Sequence, residues 1–514
     1  MGRKAMEIKM DSQITTASEK AAPIIKKHNV SKILCIVFFF VASLALFAAI
    51  WYTRTYGVTG FDSIIFTLFS NLNGVQSDLV MGITLNSVIP SVLVTAVLGF
   101  LFYFNPKKSF RIFPIKRTVL TTVSLILSGV MLISAGMTVR LFSYLVNMTH
   151  QSTVFDEEYV DPDSVSIKFP EKKRNLIYIF LESMETTFFS KEQGGAIENC
   201  LTPELYSLAE KNINFSHNDG SGGFLTPNGT TWTVAAMTAQ VSGIPLKAPS
   251  MFERNAYGSD SFLPGATTLT DILNANGYYQ ALMFGSDDVF ANRDVLFKSH
   301  GLDQIYDLDT AREDGLIDPD YFVWWGMEDS YLFDYAKDKL SEISKMDRPF
   351  AFTMLTVDTH HVAGYKCDKC DDKYEEQYDN VISCASRQVS DFIKWLKRQR
   401  FYKDTTVVIV GDHLTMDADY VKRNIDPEYE QHVYNCILNS AVEGNLYKNR
   451  RFSGMDMFPT TLAALGCEIP GNRLGLGTNL FSYKPTLIEK MGYDEFNNQL
   501  SKNSSYYNSN FILN

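Results

Sequence analysis

Three stretches in the first part of the chain contain no charged residue: Ile33–Tyr52, Leu79–Phe104 and Thr118–Val139. A helix needs about 20 mostly apolar residues to cross the hydrocarbon core of a membrane, and each stretch is long enough. Buried helices of soluble proteins are usually shorter, and a cleavable signal peptide has a shorter apolar run than the first stretch. The sequence therefore predicts a membrane unit at residues 33–147, with spans at about 33–52, 82–104 and 118–139.

Lysine and arginine are concentrated on one side of these stretches. They occur throughout residues 1–32, a basic tail, and again between the second and third stretches, at 107–117. Both segments are expected in the cytoplasm, because cytoplasmic loops are enriched in these residues. With three spans, the chain after about residue 145 then lies outside the cell. Residues 61–72 have apolar side chains at helical spacing, which predicts a helix on the outer membrane surface or packed on the spans.

The remainder divides into an acidic linker at 148–170, a large domain at 171–485 and a C-terminal tail at 486–514. The large domain has four apolar segments typical of buried strands, at 175–181, 278–284, 350–357 and 406–410, and each runs into a polar cluster. Helical patterns at 386–399 and 456–465 alternate with them. We therefore predict an α/β fold with a mostly parallel central sheet covered on both faces. The carboxyl ends of its strands should meet at one crevice, an arrangement that indicates an enzyme.

Charge and cysteine content restrict the partners and the compartment. The net charge of -11 argues against nucleic acid, because a phosphate backbone is bound by clustered Lys and Arg. Six of the seven cysteines follow the spans, where oxidation is permitted. Cys367 and Cys370 have the spacing of half a zinc knuckle, but no second pair completes it. We expect a disulfide from Cys367 or Cys370 to Cys384 in preference to zinc.

Glu182, Asp412 and His413 have the side chains of a metal site. Asp412 and His413 follow the strand ending at Val410, and Glu182 follows the strand ending at Leu181. Carboxylates and a neutral imidazole together suit a divalent ion such as Mn²⁺ or Zn²⁺. A structural turn with a capping Asp would also explain the Asp-His pair, but a carboxylate buried at a strand end is costly unless paired or bound to metal. Glu185 is expected on a helix surface.

A threonine-rich loop supplies candidate nucleophiles. Glycines and the Pro227-Asn-Gly turn precede a helix that begins somewhere between Thr230 and Thr233. A hydroxyl at a helix N-terminus faces free backbone amides and the positive end of the dipole, which favour an anionic phosphate. The threonines are equally compatible with helix capping alone, and the residues themselves do not choose among them.

Two further clusters are candidates for substrate binding. His360 and His361 follow the strand ending at Val357, and one that faces the crevice could transfer protons. Arg293 and Asp287 follow the strand ending at Phe284, where a guanidinium could hold a phosphate by paired hydrogen bonds. A surface histidine and a surface salt bridge are the alternatives.

In combination, four motifs resemble the sulfatase-like phosphotransferases of the alkaline phosphatase superfamily. The resemblance covers about residues 172–482 and is to lipoteichoic acid synthases and to the phosphoglycerol transferases of periplasmic glucans. The motifs are Phe-Leu-Glu182-Ser, Gly229-Thr-Thr-Trp-Thr233-Val-Ala-Ala-Met, Thr-Val-Asp-Thr-His360-His and Val-Gly-Asp412-His413. Ala291 stands where the synthase has an aromatic residue, and that enzyme has five spans rather than three.

The resemblance implies a role for each residue. It implies Glu182, Thr233, Asp412 and His413 as ligands of one divalent metal, with Mn²⁺ as first choice and Mg²⁺ or Zn²⁺ as alternatives. It favours Thr233 as nucleophile, because Ser242-Gly243 then matches a pair that follows the nucleophile in soluble sulfatases, and Thr230 is the alternative. It implies His360 as the substrate histidine, which we predict to be catalytic as the group that transfers protons, and Arg293 as a headgroup contact. We predict His361 and Asp287 as further substrate-binding residues.

The implied activity is phosphoglycerol transfer by a multi-pass protein of the bacterial plasma membrane with an extracellular catalytic domain. The donor would be phosphatidylglycerol, and the acceptor a surface glycan, glycolipid or teichoic acid. Phosphoethanolamine transfer by the same Thr-metal core is one alternative. A non-catalytic, membrane-bound protein that binds a surface polymer is the other.

Overall fold

The computed structural model describes residues 32–57, 60–69, 77–104, 117–247, 261–444 and 447–512. Residues 1–31 of the basic tail and the loop at 105–116, on which the predicted orientation depends, lie outside the described residues. By their internal contacts the described residues form two units. The first comes from residues 1–54 and 77–141, and the second from 55–76 and 142–514.

Nineteen α-helices carry labels in chain order, with π-helical turns at Thr84–Val88 and Asn508–Ile512 among the described residues. They are α1 (Lys32–Tyr56), α2 (Phe61–Phe69), α3 (Ser77–Ile83), α4 (Ile89–Phe104), α5 (Arg117–Thr138), α6 (Leu141–Met148), α7 (Val154–Glu158), α8 (Pro203–Lys211), α9 (Thr233–Ser242), α10 (Leu269–Ala275), α11 (Arg293–Lys298), α12 (Leu308–Glu313), α13 (Asp329–Ile343), α14 (Gln377–Leu396), α15 (Ala418–Asn424), α16 (Met457–Ala464), α17 (Leu487–Met491), α18 (Tyr493–Ser501) and α19 (Ser505–Tyr507).

The first unit contains three helical segments that are long and apolar enough to cross a membrane. They are Lys32–Tyr56, Leu79–Phe102 and Val119–Thr138, with mean hydropathies of 3.0, 2.0 and 2.0. Large apolar side chains on these helices are exposed, as at Leu93 (62%) and Ile126 (60%). Such continuous apolar surface is rare on a soluble protein. The three predicted apolar helices are therefore present, and their bounds differ from the prediction by only a few residues.

The second unit is built on a seven-stranded sheet of order β2-β7-β6-β1-β5-β3-β4. Five strands are parallel, β7 is antiparallel to β6, and β2 is antiparallel to β7. The strands are β1 (Asn175–Leu181), β2 (Gly223–Phe224), β3 (Tyr279–Phe284), β4 (Gln304–Tyr306), β5 (Phe350–Leu355), β6 (Thr405–Gly411), β7 (Val433–Leu438), β8 (Arg473–Leu474) and β9 (Gly477–Thr478), the last two forming a separate hairpin. The predicted α/β fold with a mostly parallel sheet is confirmed.

Helices cover both faces of the sheet, because successive side chains of a strand point to opposite faces. Leu176, Tyr178 and Phe180 of β1 pack in one core with α9, α10 and α16. The intervening Ile177 and Ile179 pack in the other core with α8, α13 and α14. Every central strand is therefore apolar on both sides, which explains the continuous apolar runs in the sequence.

The segments predicted as a linker and a tail are folded parts of the second unit. Phe155, from the linker at 148–170, is buried and contacts the rings of Tyr507 (5.4 Å) and Phe511 (6.1 Å) between centroids. Phe496 and Leu500, from the tail at 486–514, are buried in the core beside α9 and α16. Their spacing of four residues is helical, a signal that the Asn- and Ser-rich composition obscures.

The segment predicted at 61–72 forms α2 over Phe61–Phe69, and its last residues lie outside the described part. It belongs to the second unit rather than to the spans. Phe66 is buried there, with its ring centroid 5.8 Å from that of Trp232. The apolar face of α2 therefore packs on the globular unit, at the residue just before α9.

Candidate active site

Glu182 and Asp412 emerge side by side from two adjacent strands. Leu181 of β1 is paired with Gly411 of β6 in parallel register, so the next residue on each strand is a carboxylate. Both are buried, at 2% and 1% exposure. Glycine is required before Asp412, because a Cβ at Gly411 would lie 1.9 Å from the carbonyl oxygen of Met184. The strand pairing thus fixes the separation of the two carboxylates.

Ser183 ties the two carboxylates together. Its backbone N–H donates to Asp412 Oδ1 (2.8 Å) and its hydroxyl donates to Glu182 Oε1 (2.7 Å). The residue has a φ of 52°, in the left-handed region that is uncommon for residues other than glycine. Thr359 Oγ1 also donates to the carbonyl oxygen of Glu182 (2.5 Å), which links the loop after β5 to the end of β1.

His413 and Thr233 complete the cluster. His413 donates from Nδ1 to the carbonyl oxygen of Leu414 (2.7 Å), which leaves Nε2 with a lone pair in the neutral ring. That Nε2 lies 3.6 Å from Glu182 Oε1 and 3.3 Å from Asp412 Oδ2. Thr233 begins α9, and its Oγ1 lies 3.2 Å from His413 Nε2 and 3.4 Å from Glu182 Oε2. Four polar groups from three parts of the chain thus converge.

Thr230 is oriented differently. Its hydroxyl donates to the carbonyl oxygen of Pro227 (2.7 Å), and its backbone N–H donates to the same oxygen (3.1 Å). These are the contacts of a residue that closes a turn. Thr230 is 2% exposed, whereas Thr233 is only partly buried. Of the two candidate threonines, only Thr233 contacts the cluster.

The electrostatics of the cluster favour a bound cation. Burial acts to raise the pKa of Glu182, but the nearby His360 and His413 outweigh it and lower that pKa. Burial and the charge of Glu182 raise the pKa of Asp412 to about 7. Burial acts to lower the pKa of His413, but the two carboxylates outweigh it and raise that pKa. Two adjacent buried carboxylates cannot both ionise cheaply without a positive charge between them.

The geometry also fits a metal ion. The ligand atoms of Glu182, Asp412 and His413 all lie within 4.8 Å of one another. Around one ion with bonds of about 2.1 Å, tetrahedral ligands are about 3.4 Å apart, close to the 3.2–3.6 Å separations above. Among the described residues, Asp412 Oδ2 is buried and accepts no hydrogen bond. A divalent ion would satisfy that oxygen.

The two predicted histidines lie beside this cluster and are held in different ways. His360 donates from Nδ1 to the carbonyl oxygen of His361 (2.9 Å), so its Nε2 carries a lone pair in the neutral ring. Burial lowers the pKa of His360, and the charge of Glu182 opposes that effect. The ring of His361 stacks on that of His360 at 4.3 Å and meets Tyr56 edge-on at 4.7 Å. Within the described structure, His361 Nδ1 is buried without a hydrogen-bond partner.

Arg293 is buried, with its guanidinium over the ring of Phe284 at 4.4 Å. It donates from Nη2 to Ser286 Oγ (2.9 Å) and to the carbonyl oxygen of Asp287 (2.7 Å). Burial lowers its pKa to about 10, and the charge that opposes this most strongly is that of Glu182. The Asp287 carboxylate instead accepts from the N–H of Val289 (3.1 Å), within its own turn.

The alternative of a surface salt bridge does not describe Arg293. Two aspartates near it in sequence, Asp288 and Asp294, pair with Lys298 at 3.1 and 3.3 Å. Arg293 is therefore held by neutral oxygens and a ring, and its positive charge remains available to the site.

Two polar residues that support the site were missed or misjudged from sequence. Gln240 of α9 donates from Nε2 to the carbonyl oxygens of Gly411 (3.2 Å) and Asp412 (3.4 Å), and thereby holds the helix against the end of β6. Its place on a helix face that is buried throughout was the available signal. The prediction of Glu185 on a helix surface is wrong, because Glu185 is 1% exposed. Ser183, between Glu182 and Glu185, has a left-handed backbone conformation, so the segment is not helical. The three-residue spacing of the two glutamates is therefore misleading.

Glu185 should make the stability of the protein depend on pH. Its carboxylate accepts from the N–H of Thr415 (3.0 Å), from Gln431 Nε2 (2.8 Å) and from the Thr187 hydroxyl, but burial dominates and raises its pKa to about 7. Because folding raises the pKa of Glu185, its contribution to the free energy of unfolding is fully present below the unfolded pKa near 4.5. That contribution is lost as the pH rises through 7. The expected loss is on the order of 3 kcal/mol.

The measurement is the free energy of unfolding between pH 4 and 8 for the parent and for Glu185→Gln, in the same buffers. The free energy of unfolding of the Gln variant, relative to that of the parent, should increase as the pH rises. Identical pH slopes for the two proteins would contradict the assignment, and Glu192→Gln, at an exposed residue, is the control.

These features define a known class. The chain belongs to the sulfatase family, whose model matches residues 174–467. Over 335 residues it is 34% identical to phosphoglycerol transferase I of Escherichia coli O6:K15:H31 (strain 536 / UPEC), which covers 64% of this chain and 41% of that relative. The chain thus spans less than half the length of the curated relatives it matches. The predicted resemblance is confirmed at the level of the family.

Two solved structures match parts of the chain. The lipooligosaccharide phosphoethanolamine transferase A (EptA) of Neisseria meningitidis, an integral membrane protein, matches with a TM-score of 0.51 and 14% identity, covering 87% of this chain and 85% of that one. The lipoteichoic acid synthase LtaP of Listeria monocytogenes matches with a TM-score of 0.48 and 21% identity, covering 62% and 79%. At 14% identity, the likeness to EptA concerns the fold alone.

Proposed function

We propose that this protein is a membrane-anchored phosphotransferase that moves glycerol phosphate from phosphatidylglycerol to a hydroxyl of a cell-surface glycan, glycolipid or teichoic acid. The observation that carries the proposal is the position of the Thr233 hydroxyl, within 3.4 Å of both His413 and Glu182 and at the first residue of a helix. Identity to phosphoglycerol transferase I over the same domain supports the choice of headgroup.

Thr233 is the proposed nucleophile, and α9 supports its attack. Trp232, the residue that precedes this helix, makes no side-chain capping hydrogen bond, so the amides of the first turn are available to the oxygens of a phosphodiester. Glu182, Asp412 and His413, with Thr233, would hold one divalent cation. When bound, that cation would supply charge neutralisation for the phosphate and increase the acidity of the threonine hydroxyl. Mn²⁺ remains the first choice, with Mg²⁺ and Zn²⁺ as alternatives.

The transfer takes place in two steps, through a covalent intermediate on Thr233. In the first, Thr233 Oγ1 loses its proton to solvent and bonds to phosphorus, the bond from phosphorus to the diacylglycerol oxygen breaks, and His360 delivers a proton to that oxygen. In the second, an acceptor hydroxyl displaces Thr233 Oγ1 from phosphorus, His360 Nε2 takes the proton of that hydroxyl, and Thr233 regains one from solvent. The anionic substrate favours the imidazolium that the first step requires.

Anchoring in the membrane suits a lipid donor. Removing two acyl chains from a bilayer costs about 0.8 kcal/mol per exposed CH₂ group, so the site must be brought to the lipid. We place the catalytic unit on the extracellular side of a bacterial plasma membrane, as the distribution of Lys and Arg predicts. His361 and Asp287 remain proposed substrate contacts, together with His360 and Arg293.

The decisive experiment offers the purified full-length protein phosphatidylglycerol or phosphatidylethanolamine, each radiolabelled in its headgroup, in detergent with Mn²⁺. We expect label from phosphatidylglycerol to become covalently attached and diacylglycerol to be released. Label from phosphatidylethanolamine alone would overturn the headgroup assignment. Attachment of neither label, while both lipids bind, would favour a binding protein over an enzyme.

Arg293→Lys should impair use of the donor without unfolding the protein. Lysine keeps the positive charge but loses the planar group that lies on Phe284 and donates to Ser286 and Asp287. We expect kcat/KM for the donor lipid to fall roughly 10–100-fold, since hydrogen bonds to charged groups contribute about 1.5–3 kcal/mol. Arg312→Lys, at a residue paired with the exposed Asp309, is the matched control and should change little. An unaltered kcat/KM in Arg293→Lys would remove the headgroup role.

A further inference from the structure

A second group of metal-binding side chains lies outside the active site. Cys367 and Cys370 belong to the segment between β5 and α14, and Cys384 belongs to α14. Their sulfur atoms all lie within 4.8 Å of one another, and those of Cys367 and Cys370 are 3.6 Å apart. All three are free thiols, so the predicted disulfide to Cys384 is absent from the structure.

The spacing of the sulfurs is that of thiolates around one ion. Zinc binds sulfur at about 2.3 Å, which places the sulfurs of a tetrahedral site about 3.8 Å apart. Cys367 and Cys370 are joined by a tight turn in which the N–H of Cys370 donates to the carbonyl oxygen of Cys367 (2.9 Å). A Cys-x-x-Cys turn that faces a third cysteine is a common arrangement in structural zinc sites.

The three sulfurs lie close enough together to repel one another strongly if all are thiolates. Three sulfurs at this distance can be thiolates together only if a cation lies among them.

A fourth ligand is at hand. Gln388, one turn after Cys384 on α14, directs its amide at the sulfurs, with Nε2 3.6 Å from Cys384 Sγ and 3.8 Å from Cys367 Sγ. In the part of the chain that the structure describes, its Oε1 is buried without a hydrogen-bond partner. An end-over-end rotation of the amide would bring this oxygen to the sulfurs, where it could bind a cation.

A disulfide accounts for the arrangement of the three cysteines less well than a bound ion does. Three cysteines cannot pair completely, and any disulfide formed by two of them would lie beside the third thiol and be open to exchange. Cys200 and Cys436 belong to none of the metal-binding groups found among the described residues. A single ion, by contrast, engages all three sulfurs at once.

We propose that Cys367, Cys370 and Cys384 bind a thiophilic divalent cation of the zinc class as a structural site, with Gln388 Oε1 as the fourth ligand. The ion would fasten the segment at 356–376, which contains no helix or strand, to α14. The same segment carries His360 and His361, so its anchoring would hold the histidines in place beside the carboxylates. The proposal is independent of which reaction the active site performs.

The test uses the full-length protein in detergent, purified without reductant, stripped of metal and titrated with Co²⁺. Binding by thiolates gives an intense sulfur-to-metal charge-transfer band that the oxygen and nitrogen ligands of the active site cannot produce. We expect this band to saturate at one equivalent of Co²⁺ in the parent protein and in Glu182→Gln. Cys384→Ser should lose it, and Cys200→Ser, at a half-buried cysteine elsewhere, should keep it. Gln388→Leu should shift the band.

A second measurement uses only the parent protein, so it does not require any variant to fold. In the zinc-loaded parent, the three cysteines should resist alkylation until a chelator is added, and should then react without any reductant. The proposal is overturned if the parent has the mass deficit of a disulfide at these cysteines, or if they react equally with and without zinc. It is also overturned if the Co²⁺ band is absent from the parent.

Discussion

Thr233→Ala is expected to lower glycerol phosphate transfer by roughly four orders of magnitude or more, the range seen when an enzyme loses its nucleophile. The variant lacks the oxygen that lies 3.2 Å from His413 Nε2 and 3.4 Å from Glu182 Oε2. The substitution should leave the packing of the core intact, because the Thr233 side chain is only partly buried. The measurements are release of diacylglycerol from labelled phosphatidylglycerol and the intact mass of the protein after incubation with the lipid.

Thr230→Ala is the matched control. It removes the same atoms three residues earlier, where the hydroxyl closes a turn onto Pro227. We expect a loss of about 1 kcal/mol in stability, with transfer and the glycerophosphate mass adduct retained. If Thr233→Ala still forms the adduct and Thr230→Ala does not, the nucleophile is Thr230.

Asp412→Asn should abolish the stabilisation that a divalent metal gives the protein. A ligand that binds only the folded state stabilises it by about 2.7 kcal/mol at one hundred times its dissociation constant, and this gain should disappear with the carboxylate. In chelator the variant should be no less stable than the parent, because a neutral amide removes the repulsion between Asp412 and Glu182. Transfer should fall together with metal binding. The measurement is the unfolding temperature with and without Mn²⁺.

Asp456→Asn provides the comparison, since Asp456 is also buried and accepts from the N–H groups of Ser453 and Thr478, each at 2.8 Å. This variant should lose about 1–3 kcal/mol of stability but keep the full response to Mn²⁺. An equal metal response in Asp412→Asn and Asp456→Asn would show that the ion binds elsewhere.

The strands of the sheet were predictable because burial on both faces leaves a simple signature. The predicted segment at 175–181 coincides with β1, and the one at 350–357 exceeds β5 by only two residues. The membrane-length helices were predictable for a related reason, since uncharged runs of that length have few alternatives. In both cases the signal is local and does not depend on contacts between distant residues.

The convergence at the site was predictable only in outline. Parallel strands lead to one edge, so Glu182 and Asp412 could be expected near each other. Which threonine faces them depends on where α9 begins. Thr233 is its first residue, whereas Thr230 lies before it in a turn, with its hydroxyl directed at Pro227. Gly243, with a φ of 68°, ends α9 in the left-handed conformation, so the Ser242-Gly243 pair that helped to choose Thr233 belongs to the helix end.

Other features depend on partners that no local pattern reveals. Glu185 is buried because β7 and the loop before α15 cover it, and its own neighbours in sequence gave no sign of this. The final helices pack on the core through a few apolar residues in a polar segment. The three cysteines meet because a turn lies against α14, and the oxidising compartment expected from the sequence favoured a disulfide.

The pairing of Leu181 with Gly411 separates two kinds of evolutionary change. A deletion of one residue in either strand would turn a carboxylate to the opposite face, so the spacing of the proposed ion ligands tolerates almost no variation in length. Arg293 and its supporting turn lie after β3, which is two positions from β1 and three from β6 in the sheet. Descendants of such a protein could therefore acquire new headgroups by remodelling that turn while inheriting the phosphate chemistry intact.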